Sequence, residues 1–274
     1  MSKSIDDLIR DLEGSGTLSG SRSPAPAPAS PPTPTRGRVR GLTSSGTLFL
    51  IAAVLIVSII GSLPLGSYAL YPFSLFVTLV HETGHAVAAL LTGGAVDNLT
   101  INGDLSGVTT FNPGIQGLIA PAGYLGATLV GVSVLLTPLR FARWVVGALA
   151  AIPVAALLFF HPGSWFTAVW CVVFALALGV AAWKLPARWL GFLQIFLGVE
   201  IGLNAFRDLS TLVLISSSGA HIQNDAEAMS RALFLPAIFW ATAWTAISVV
   251  ALIAALVILV KRDLPSLRRK PTGV

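Results

Sequence analysis

The sequence predicts an all-α polytopic membrane protein of about seven transmembrane helices. Two of its features point there directly. Hydrophobic residues make up 54% of the 274 positions and charged residues 11%, whereas soluble domains carry about 25% charged residues. The apolar residues are also gathered into runs, each near the roughly twenty residues a helix needs to cross a bilayer. A short β-hairpin is expected between two of the runs, and a disordered N-terminal tail ahead of them all.

The tail covers residues 1–45. Ile5, Leu8, Ile9 and Leu12 recur at helical spacing among Asp6, Asp7, Arg10 and Asp11, which predicts a short amphipathic helix or, equally, a frayed end. Gly14 to Thr35 is rich in Ser, Pro, Ala and Gly, a composition that cannot bury a core and reads as a disordered linker. Arg36, Arg38 and Arg40 form a basic collar before the first apolar run. A long polar lead of this kind argues against a removable signal peptide.

Residues 46–262 form the expected transmembrane domain. Its runs are Thr47 to Leu63, Ser67 to Leu91, Ile115 to Leu136, Phe141 to Phe160, Trp165 to Trp183, Trp189 to Ile215 and Leu233 to Val260. Gly, Pro and basic residues punctuate them at Pro64-Leu65-Gly66, Pro138 with Arg140, His161-Pro162-Gly163 and Lys184 with Pro186. Residues 263–274 are a basic C-terminal tail. Between Gly93 and Gly114 the pattern changes. Val96, Leu99, Ile101, Val108 and Phe111 alternate with polar residues around Asn102-Gly103-Asp104-Leu105-Ser106-Gly107, which predicts the hairpin. Its edge offers either a plain surface loop or a strand that an extended peptide can join. The single cysteine, Cys171, lies in an apolar run and reads as a small core residue without a disulfide partner.

The second run carries His81-Glu82-Thr83-Gly84-His85. Residues four apart share one face of a helix, so both imidazoles can reach one metal ion, and Glu82 lies beside them as a general base. Ionisable side chains within a spanning helix are costly and mark function by default. Zinc is the expected cofactor, and two histidines leave it one protein ligand short of a hydrolytic set. The run from Trp189 to Ile215 holds Glu200, Asn204 and Asp208 at four-residue spacing, with Arg207 beside them. Asp208 is the candidate third ligand. Asp225 is the alternative, with His221, in the polar stretch that follows; there Asp225 also reads as the start of the final helix. Asn204 and Glu200 are candidates to face an oxyanion or to support the ligands. An internal ion pair with Arg207 is the plainer account of the stripe. Gly123, Ala127 and Gly131 repeat every four residues in the third run, either as a close seat for the metal helix or as ordinary helix packing.

These residues together resemble the site-2 protease family of intramembrane zinc metallopeptidases. Leu79 to Gly94 and Ala120 to Ala127 carry the likeness most clearly, and Asn204 to Asp208 more loosely. The likeness spans residues 65–260. It implies zinc on His81, His85 and a late aspartate, Glu82 as general base, and cleavage of a membrane-embedded peptide. Asp208 matches the late aspartate, but Asn204-Ala205-Phe206-Arg207-Asp208 has no Pro and Leu209 stands where that family has Gly. The departure resembles the compact branch without a PDZ domain.

The expected partners are a membrane-associated protein or peptide substrate and the lipid bilayer of the cell membrane. The net charge of +5 sits mostly in tails and short connections, which suits an anionic membrane surface; no basic stripe interleaved with aromatics suggests nucleic acid. Two other classes compete. A metal-ion transporter would spread ligands over several helices. The other is a non-catalytic membrane scaffold, against which an intact Glu82 argues.

Overall fold

A computed structural model describes residues 43–218 and 223–268. The chain divides into Met1–Val39 and Arg40–Val274; the tail helix, linker and arginine collar lie outside the described residues, as does His221. Eight α-helices and one hairpin follow in order: α1 Thr43–Ser62, α2 Gly66–Leu91, β1 Ala95–Ile101, β2 Gly107–Asn112, α3 Gln116–Leu136, α4 Ala142–Phe159, α5 Trp165–Lys184, α6 Ala187–Ser217, α7 Asp225–Leu233 and α8 Ala237–Arg268. Among the described residues, six segments are long and apolar enough to cross a membrane, and α1 adds a shorter apolar stretch, Gly46–Ser62. The protein is therefore a multi-pass integral membrane protein, as the apolar runs predict.

Helix α6 is the axis of the bundle. It packs against α1, α2, α3, α4 and α8, and its buried residues run from Leu190 to Leu212 on nearly every face. In a bilayer, lipid tails are as apolar as leucine, so helices associate through close packing rather than hydrophobic transfer. Glycines supply that closeness. A Cβ on Gly84 of α2 would strike the Ala122 carbonyl of α3, whereas one on Gly126 of α3 would lie 3.7 Å from the Gly84 Cα, an ordinary contact. Further along α3, Gly131 lies against Ile201 and Gly202 of α6. Helix α3 thus lies close against α2 near Gly84 and Gly123 and against α6 near Gly131.

The hairpin lies alongside α2. Strands β1 and β2 pair antiparallel, with Leu99 opposite Thr109, and a bulge between Val96 and Asn98. Two α2 side chains fasten the turn: Tyr71 donates to the Gly103 carbonyl at 2.7 Å and Thr78 to the Leu105 carbonyl at 2.9 Å. The Asp104 carboxylate accepts from the Ser106 hydroxyl and amide, and these bonds hold it below its ordinary pKa. The far edge of β1 is occupied. Leu99 N–H donates to the His161 carbonyl at 3.2 Å, and Gly163 N–H donates to the Leu99 carbonyl at 2.9 Å. His161, read from sequence as a polar helix-end residue, serves this pairing through its main chain, with φ of 44°. Thr167, in the first turn of α5, adds bonds to both main-chain groups of Ile101. Among the described residues, no main-chain group outside the hairpin pairs with β2.

The sequence places a single final helix from Leu233, whereas the structure has two. Helix α7 ends at Leu233 and Phe234 takes a left-handed cap with φ of 59°. Pro236 follows; it has no N–H to give, and it disfavours helical geometry at Leu235. Asp225 accordingly opens the short α7 and not the last span. Its neighbour Asn224 is the N-cap, accepting from Glu227 N–H at 2.9 Å.

Candidate metal centre

Helix α2 presents His81, Glu82 and His85 to a cleft of about 690 Å³. The two histidines lie one turn apart, with Nε2 atoms 2.9 Å from each other. His85 Nδ1 is 2.8 Å from the Ile119 carbonyl of α3. A carbonyl only accepts, so Nδ1 carries the proton and Nε2 turns its lone pair into the cleft. The His81 ring meets Tyr124 of α3 edge-on, centroids 4.4 Å apart, and Tyr124 in turn stacks on Trp244 of α8.

The third group is Asp225. Its Oδ2 lies 3.4 Å from His81 Nε2 and 3.4 Å from His85 Nε2. These three residues form the one metal-ligating cluster among the described residues. Helix α7 reaches the site because its apolar face is pinned: Ala226 and Met229 are buried with Ala120, Leu209, Leu212 and Trp244.

The donor set fits zinc. Tetrahedral bonds of about 2.0–2.1 Å put neighbouring ligand atoms about 3.3 Å apart. The two distances to Asp225 match that edge, and the His81–His85 separation is slightly shorter. Room for an ion is kept by Gly123, where a Cβ would collide with both Nε2 atoms. Alanine ordinarily stabilises a helix relative to glycine by about 1 kcal/mol. Here Gly123→Ala is expected to weaken zinc binding by about 10–100-fold, the range seen when the support of a metal site is disturbed. A zinc titration against a competing chelator checks it; unchanged affinity would mean the ion does not sit at this face.

Glu82 is buried beside the cluster. Thr109 of β2 donates to its Oε2 at 2.7 Å, and a Cβ on Gly107 of β2 would run into its side chain.

Of the residues singled out from sequence, His81, Glu82, His85 and Asp225 come together. Asp208, the first choice for third ligand, lines the same cleft but stands outside the cluster. It projects from α6 in the cleft wall, while α7 folds back over the histidines and delivers Asp225. Asn204 and Glu200 do not line the cleft. They bond to each other, Asn204 Nδ2 to Glu200 Oε1 at 2.7 Å, and Ser74 of α2 donates to Asn204 Oδ1 at 3.3 Å. Tyr124, Thr109 and Gly107 escape the sequence reading as site residues. Only Gly107 carries a local signal, as the last residue of the hairpin turn.

No curated protein and no solved structure matches the chain. A family model described as Peptidase M50B-like matches residues 47–255, which takes in every element from α1 into α8 and every residue of the cluster. With that match laid over the His-Glu-x-x-His helix, the hairpin and the six membrane spans, the chain belongs to the M50B-like peptidases, the site-2 protease family.

Proposed function

We propose that this protein is an intramembrane zinc metallopeptidase that hydrolyses peptide bonds of membrane-associated proteins, the reaction of regulated intramembrane proteolysis. One observation carries the reading: His81 Nε2, His85 Nε2 and Asp225 Oδ2 converge beside the Glu82 carboxylate. His81, His85 and Asp225 would hold the zinc, with Asp225 favoured over Asp208 by its distances. Zinc, when bound, polarises the scissile carbonyl and makes a water acidic enough to ionise near neutrality.

The chain's own residues do the rest. Glu82 accepts a proton from the attacking water and returns it to the leaving amine. Ile119 keeps His85 in one tautomer, and the Tyr124 ring braces His81. Asn204 and Glu200 tie α6 to α2 as a buried polar brace, away from any oxyanion. An extended substrate suits the outer edge of β2, because β1 is already covered by residues 161–163 and because β2 lines the cleft beside Glu82. Strand addition of this kind takes affinity from main-chain bonds and tolerates varied side chains.

The test uses the full chain purified in detergent. We expect about one zinc per chain by elemental analysis, and cleavage of a transmembrane peptide that stops on chelation and returns with zinc. A protein that binds zinc stoichiometrically yet cleaves no transmembrane peptide among several would overturn the peptidase reading in favour of a scaffold.

A further inference from the structure

A general base must be aimed as well as present. A carboxylate on a helix has free rotamers, and misplacing it by a fraction of an ångström is costly to the reaction. Glu82 is restrained from outside its own helix, and the restraint comes from β2. The Thr109 hydroxyl lies 2.7 Å from Glu82 Oε2 and 3.0 Å from the Glu82 main-chain carbonyl. Both oxygens only accept, so the single hydroxyl proton goes to one or is shared, and the shorter contact is to the carboxylate. Gly107, two residues earlier on the same face of the strand, leaves the space that the other carboxylate oxygen fills.

The strand itself is held in place. Thr109 sits opposite Leu99, and Leu99 is fixed on its other side by the His161 carbonyl and the Gly163 amide. A continuous lateral path therefore runs from the α4–α5 connection through β1 and Thr109 to the base.

We propose that Thr109 is a positioning residue for Glu82: its hydroxyl fixes the carboxylate rotamer, so that the strand offered to the substrate also aims the base. The kinetic side of this rests on the peptidase reading, and the structural side does not. Threonine at a strand position is otherwise a packing residue, favoured for its branched shape. Valine keeps that shape and removes the hydroxyl, whereas serine keeps the hydroxyl and removes the methyl.

The experiment compares Thr109→Val and Thr109→Ser in two measurements. The first is infrared difference spectroscopy on metal-free protein, where subtracting the Glu82→Gln spectrum isolates the Glu82 carboxylate stretch. Thr109→Val should displace that band and Thr109→Ser should restore it. The second is kinetics on zinc-loaded protein with a transmembrane peptide. Thr109→Val should lower kcat about tenfold with KM and zinc stoichiometry unchanged, and Thr109→Ser should recover most of the loss. Thr109→Ala replaces the valine variant if the latter fails to load zinc. An unmoved carboxylate band, or a serine variant as impaired as valine, overturns the proposal and leaves Thr109 a packing residue. Absence of cleavage by the wild-type chain overturns the peptidase reading instead, and the infrared arm still decides whether Thr109 holds Glu82.

Discussion

Glu82→Gln protein is expected to fold, load zinc and lose about 10²–10⁴-fold in kcat, the contribution usual for a positioned general base. The substitution is nearly isosteric, so it fits the space left by Gly107. Thr109 can turn its hydroxyl to accept from the new amide, or donate to its oxygen, and so keep the side chain in place. An amide cannot take a proton from water at neutral pH. The ligands His81, His85 and Asp225 are untouched, so zinc per chain should equal that of the wild type. Cleavage of a transmembrane peptide, measured beside elemental analysis on the same preparation, checks both halves. A variant that cleaves at the wild-type rate would remove Glu82 from the chemistry.

Asp225→Ala is expected to lower zinc affinity by more than about 100-fold, while Asp208→Ala leaves zinc stoichiometry intact. Disturbing an outer-shell partner of a metal ligand already costs about 10–100-fold, and a direct ligand counts for more. The expectation rests on distance. Asp225 Oδ2 is 3.4 Å from each imidazole nitrogen, whereas Asp208 belongs to the cleft wall without joining the cluster. Asp208→Ala is the necessary companion, since it removes a carboxylate from the same cleft and separates ligation from general loss of negative charge. Zinc retained by Asp225→Ala and lost by Asp208→Ala would return the third ligand to α6, the position preferred from sequence.

The placement of the two aspartates shows where the sequence is legible. The apolar runs are plain because a bilayer demands length and composition, both of which are local properties. His81, Glu82 and His85 are plain because one helical turn joins them. The hairpin is plain because its alternation and its Gly-containing turn are local as well. Asp225 is harder. It stands beyond the apolar run of α6 in a polar stretch, where a carboxylate ordinarily caps a helix or meets water. Its place at the histidines depends on α7 folding back, and that depends on Ala226 and Met229 packing against α3, α6 and α8. The i, i+3 spacing of those two residues is a faint signal in a helix of nine residues. Asn204 and Glu200 are the opposite case. Polar side chains four apart in a spanning helix suggest a site, and in the bundle interior Asn204 Nδ2 donates to Glu200 Oε1 and to the Glu200 carbonyl. Thr109 and Tyr124 carry no sequence signal, since a strand threonine and a helical tyrosine are equally at home in a site and in a core.

Among the described residues the outer edge of β2 is bare, which has a consequence for hydration. Unpaired N–H and C=O groups cannot face hydrocarbon without a cost of several kcal/mol each, which is why open sheet edges do not occur against lipid. When no peptide lies along it, this edge has to be wetted. Tyr71, Thr78 and Thr109 fasten the hairpin to the helix that carries Glu82, so solvent satisfying the edge would lie close to the Glu82 carboxylate. Hydrolysis inside a bilayer consumes a reactant that the surrounding medium excludes. If the protein is the peptidase proposed above, the main-chain groups that would receive a substrate strand would also hold water close to the base that uses it.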